Sequence, residues 1–73
     1  MRLIRFKAAV KTLSPRERDV VKLVATGLSN PQVAEKLKLS VKTIENTLAR
    51  AMQRFDPRIS MGELIRLWTQ SKE

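Results

Sequence analysis

The chain has 73 residues, 15 Lys and Arg against 7 Asp and Glu, and a formal net charge of +8, with neither histidine nor cysteine. That length supports one small domain, which buries only about 60% of its unfolded surface. No cysteine means no disulfide framework and no thiolate metal site; no histidine removes the usual general base and the commonest metal ligand. No paired-carboxylate or phosphate-cradling motif compensates, so the residues do not suggest an enzyme, and no cofactor is expected. The positive surplus points to a polyanionic partner, with nucleic acid ahead of an anionic membrane surface. No apolar run approaches the ~18 residues of a membrane span. Basic residues scattered through Met1 to Thr12 rule out a secretory signal. The expected location is the cytoplasm, at the nucleoid.

Residues 1–12 form a basic segment ahead of the main domain, 13–73. Leu3, Phe6, Val10 and Leu13 are spaced three or four apart, which suits a short helix lying on the domain with Arg2, Arg5, Lys7 and Lys11 outward. The alternative is a loose basic arm that touches phosphates or enters a minor groove.

Ser14 and Glu17 have capping-box spacing, with Pro15 at the first helical position. Val20, Val21, Leu23 and Val24 supply the buried stripe, and Gly27 ends the helix in the left-handed region. For the next helix Asn30 is the expected cap with Pro31 in the first turn, because a residue before proline avoids helical geometry. Ser29 and Gln32 also have box spacing, but that cap would force Asn30 into the helix. Val33, Ala34 and Leu37 face inward, and the helix ends near Lys36 or Leu37. Lys38-Leu39-Ser40 is the turn, with Leu39 buried and Ser40 capping the third of these helices. The helix starts at Asn30 and Ser40 are natural phosphate seats.

Val41 to Phe55 carries the sharpest division of faces. Val41, Ile44, Thr47, Leu48, Ala51, Met52 and Phe55 fall on one arc. Lys42, Glu45, Asn46, Ala49 and Gln53 fall opposite, with Thr43, Arg50 and Arg54 on a flank. A helix of this diameter fits the major groove of B-DNA. There Asn46 can pair with adenine and Glu45 can accept from the cytosine amine. Arg50 and Arg54 suit phosphate oxygens at the groove wall. After the break at Asp56-Pro57, Ser60 and Glu63 repeat the box spacing and start a final helix through about Gln70. Its stripe of Leu64, Leu67 and Trp68, with Ile65 beside it, is expected to meet a partner as well as the core.

The run LSPRERDVVKLVATGLSNPQVAEKLKLSVKTIENTLARAMQRF, followed by RISMGELIRLW, resembles the LuxR/FixJ/NarL-type (GerE-like) helix-turn-helix domain from Leu13 to Trp68. The resemblance implies an all-α fold: a small four-helix helix-turn-helix domain whose additional C-terminal helix is of the dimerisation type. It also implies a sequence-specific transcriptional regulator of double-stranded DNA, a homodimer on an inverted repeat. Ser40 and Thr43 would sit by phosphates, Lys42, Glu45, Asn46 and Ala49 would face bases, and Arg50 would lie on the backbone. Thr47 stands where the family usually has histidine, Lys38 where glycine is common, and Asp56-Pro57 replaces the usual small connection. A second reading keeps the fold but makes the chain a sigma-like or adaptor module. Leu64, Ile65 and Trp68 would then dock RNA polymerase or another regulator.

Overall fold

The computed structural model describes residues 2–56 and 58–71. Five helices succeed one another: α1 Leu3–Val10, α2 Pro15–Ala25, α3 Asn30–Leu37, α4 Val41–Arg54 and α5 Met61–Ser71. The described residues contain no strand. None of their helices is long and apolar enough to cross a membrane. α4 packs on both α2 and α3, α5 packs on α2, and α1 closes over α5. Val20, Val21 and Val24 of α2 share one core with Ile44, Leu48 and Ala51 of α4 and with Leu64 and Leu67 of α5. Each Val, Leu or Ile fully removed from water there stabilises the fold by about 1.5–3 kcal/mol.

The basic segment at the start is a helix rather than a loose arm. Arg2 supplies no side-chain cap, and eight residues are too few to hold helical form alone, so packing must do it. Phe6 does most of that. It is fully buried, stacks on Phe55 at 4.8 Å with planes 13° apart, and meets Trp68 edge-on at 6.3 Å and 88°. Leu13 continues the anchor into the core.

α2 begins as its residues require. The Glu17 amide donates to Ser14 Oγ at 3.2 Å, and the Ser14 amide donates to Glu17 Oε1 at 3.0 Å. At its end Gly27 takes φ +102°, the Gly27 amide reaches the Val24 carbonyl, and the Leu28 amide reaches Leu23. That pair of bonds ties off the last carbonyls.

The start of α3 departs from expectation. The cap is Ser29, not Asn30: Ser29 Oγ accepts from the Gln32 amide at 3.4 Å, and Gln32 Oε1 accepts from the Ser29 amide at 2.8 Å. Two reciprocal bonds offset the strain of a pre-proline residue in the helix, so Asn30 becomes the first helical residue and Pro31 the second. α3 ends like α2, with Lys38 in the glycine-favouring region (φ 58°, ψ 46°). The Leu39 amide returns to Ala34 at 2.9 Å and the Lys38 amide to Glu35 at 3.3 Å.

α4 starts at Ser40, whose Oγ accepts from the Thr43 amide at 3.0 Å. Val41, expected inside, is exposed. It lies on the inner arc but in the first turn, where the helix end projects past the core, so the buried stripe begins at Ile44. Beyond α4, Asp56 Oδ1 accepts from the Arg58 amide at 2.9 Å, and the Asp56 carbonyl accepts from Ile59 at 2.8 Å. Pro57, the second half of the expected break, lies outside the described residues. Ser60 caps α5 through the Glu63 amide at 3.1 Å. Leu64 and Leu67, expected to meet the core and a partner, are both buried in the core. A stripe that apolar in so small a domain is used up by α2.

The two left-handed corners make opposite predictions. Lys38→Gly should stabilise by up to about 1 kcal/mol, as relief of left-handed strain outweighs the added freedom of the unfolded chain. A Cβ at Gly27 would meet nothing within 4 Å, so Gly27→Ala should cost about 1 kcal/mol from backbone strain alone. Thermal melts should move up for the first and down for the second, by roughly 4–8 °C per kcal/mol.

Candidate nucleic-acid interface

α4 spans 14 residues, a rod about 21 Å long. Ile44, Thr47, Leu48 and Ala51 are buried along its inner side. That seating turns Lys42, Glu45, Asn46, Ala49, Arg50 and Gln53 outward, and all six are exposed. The steps between them alternate between three and one, so they form a continuous strip on one face. The strip offers an amide, a carboxylate, two cations, a methyl group and a second amide, the groups that discriminate base edges and phosphates.

The helix start adds directed donors. Ser40 is exposed and Thr43 half-buried, and their hydroxyl oxygens lie 2.9 Å apart. The Thr43 amide is taken by Ser40 and the Ile44 amide by the Ser40 carbonyl. The amides of Val41 and Lys42 find no acceptor among the described residues and point out of the positive end of the helix. α3 offers less. Pro31 has no N–H and the Gln32 amide is taken by Ser29, leaving the amide of Asn30, itself half-buried.

Arg54 behaves unlike the other expected phosphate ligands. Its Nε lies 3.2 Å from Glu17 Oε1, and its Nη1 donates to the Thr12 carbonyl at 3.0 Å. The Glu17 side chain is only 8% exposed, whereas that of Arg54 is 46% exposed. One carboxylate thus completes the cap of α2 and also holds the far end of α4. Local sequence gives no sign of this tie, because the partners belong to different helices. Of the four residues expected to meet a partner, Ile65 and Trp68 are half-buried while Leu64 and Leu67 are interior. Thr47, where the resemblance leads one to expect histidine, is 1% exposed and faces inward.

The outward strip and the Ser-capped helix start are what a helix-turn-helix reader needs. Residues 11–59 match the family described as bacterial regulatory proteins, luxR family. The chain belongs to that family. Membership makes it the DNA-binding domain of a transcription regulator and not an enzyme. It is 46% identical over 61 residues to nodulation protein W of Bradyrhizobium diazoefficiens, covering 84% of this chain and 26% of that protein. To the transcriptional regulatory protein FixJ of the same organism it is 42% identical over 60 residues, covering 82% and 29%. To the tetrathionate response regulatory protein TtrR of Salmonella typhimurium it is 41% identical over 54 residues, covering 74% and 26%. The chain therefore spans little more than a quarter of these curated relatives. No solved structure matches it.

If Glu17 joins the two helix ends, Glu17→Ala should lower stability by about 1–2 kcal/mol, losing a cap and an ion-pair partner together. Arg54→Ala should cost less than about 1 kcal/mol, because its half of the pair is solvated. Urea denaturation of both variants checks the order; an Arg54 loss exceeding the Glu17 loss would contradict it.

Proposed function

We propose that this domain binds double-stranded DNA sequence-specifically, with α4 in the major groove, as the reading head of a transcriptional regulator. The observation that carries the reading is the exposed strip of α4, held outward by its buried stripe. Lys42, Glu45, Asn46 and Ala49 meet base edges, with Asn46 on adenine and Glu45 accepting from a cytosine amine. Ser40, Thr43, Arg50 and the amide of Asn30 hold phosphates, which supply most of the affinity and carry no sequence information. Arg54 is left with the task of fixing the far end of α4, since its guanidinium is already bonded to Glu17 and Thr12.

The protein works at the nucleoid in the cytoplasm, as a homodimer on an inverted repeat. Two recognition helices then enter successive major grooves about 34 Å apart. With Leu64 and Leu67 interior, pairing through α5 falls to the half-buried Ile65, since Trp68 turns to Phe6 and to the face α5 shares with α1 and α2.

Selection of bound duplexes from a randomised pool should enrich an inverted repeat with half-sites about one turn apart. A lone half-site would remove the dimer from the reading, and no enrichment would remove sequence specificity. On the selected site, Asn46→Ala should relax one or two base pairs by roughly 1–3 kcal/mol. Arg50→Ala should weaken all duplexes alike and reduce the slope of log affinity against log salt by about 0.9. Asn46→Ala acting equally on every sequence would overturn its assignment as a base reader.

A further inference from the structure

A second basic surface lies away from α4. α1, α2 and α5 enclose an open cleft of about 700 Å³. Lys7, Lys11, Arg18 and Lys22 stand around it, with Asp19 as the opposing charge. Among the described residues no carboxylate pairs with Lys7, Lys11 or Lys22. Arg18 makes one long bond, from its Nη2 to the Val10 carbonyl at 3.4 Å. Like charges gathered in this way repel one another until an anion joins them. The cleft is not polar throughout: Val10, Ala25 and the half-buried Trp68 also line it. The Trp68 ring is held by its edge-on contact with the buried Phe6.

This combination is selective. A sugar-phosphate strand would satisfy the cations and leave the apolar lining unused. Single-stranded nucleic acid needs successive aromatic faces for its bases, and one half-buried indole does not supply them. A peptide with carboxylates flanking an apolar side chain uses both features, the carboxylates meeting the cations and the apolar group covering Trp68. We propose that the α1–α2–α5 cleft docks an acidic segment of a partner protein in this way. The site is separate from the α4 strip, and the inference does not rest on the DNA-binding reading.

Trp68 is the one tryptophan in the chain, so its emission reports occupancy in the intact protein. The probes are a synthetic peptide alternating Glu with Leu, a peptide of equal charge alternating Glu with Ser, and a single-stranded oligothymidylate. The Glu/Leu peptide should shift Trp68 emission saturably and bind at least about five-fold more tightly than either other probe, since the Glu/Ser peptide lacks the apolar contact and the bases of the oligothymidylate find a single half-buried indole instead of successive stacking faces. Reversing two cleft charges together (Lys7→Glu with Lys22→Glu) should weaken it by about five- to ten-fold, with helical circular dichroism unchanged. Reversing two α4 charges (Lys42→Glu with Arg50→Glu) alters net charge equally and should leave peptide affinity within about two-fold, because neither residue lines the cleft and salt screens exposed charges. Equal weakening by both pairs would reduce the effect to overall charge and overturn the proposal. So would equal affinity for all three probes, or the absence of any saturable change.

Discussion

Burial of Ile44, Thr47, Leu48 and Ala51 against α2 and α3 is the constraint on which every outward residue of α4 depends. A helix has one rotational setting for a given buried stripe. Rolling α4 by one residue, roughly 100°, would bring Glu45 toward the core and force a charge out of water. That change would cost far more than any single surface contact returns. The setting is reinforced at both ends by polar bonds: Ser40 at the start, and Glu17 with Thr12 holding Arg54 at the finish. The backbone that carries the strip is therefore held in one setting, and the ordering that opposes binding is that of its exposed side chains.

The corners before α3 and α4 are built alike. Each preceding helix ends with one residue in the left-handed region, Gly27 in one case and Lys38 in the other, and then a leucine whose amide reaches back to close the turn. Each new helix is capped by a serine two residues further on. The repetition gives α3 and α4 similar entries from dissimilar residues. Lysine at the second corner adds a cation beside the start of α4 in exchange for backbone strain.

Much of this is legible locally. The run Ser14-Pro15-Arg16-Glu17 specifies its helix start, because both bonds of the box lie within four residues. The 3.6-residue periodicity of α4 separates its faces correctly from Ile44 onward. The cap of α3 is misassigned from sequence because two local rules conflict: the aversion of a pre-proline residue to helical geometry, and the reciprocal bonds of Ser29 and Gln32. Bonding wins. Val41 shows the limit of periodicity, which assigns a direction to a side chain but does not say where the neighbouring core ends. The same limit applies to α5. Its apolar stripe is visible, but whether Leu64 and Leu67 face their own chain or another depends on how much core the other helices leave to be filled. The tie from Arg54 to Glu17 and the seat of Phe6 between Phe55 and Trp68 have no local signature, since each joins residues far apart in the chain.

That last arrangement bears on how the domain comes together and comes apart. Most of its hydrogen bonds link residues three or four apart, which favours fast folding. The Phe6–Trp68 contact is the opposite kind, joining one end of the chain to the other. Loop-closure entropy opposes such a contact most, rising by about 0.6 kcal/mol with each doubling of the loop. α1 has no side-chain cap at its start and rests mainly on that aromatic seat. Its docking thus closes the longest loop in the domain. The contacts among α2, α3 and α4 close shorter stretches of chain.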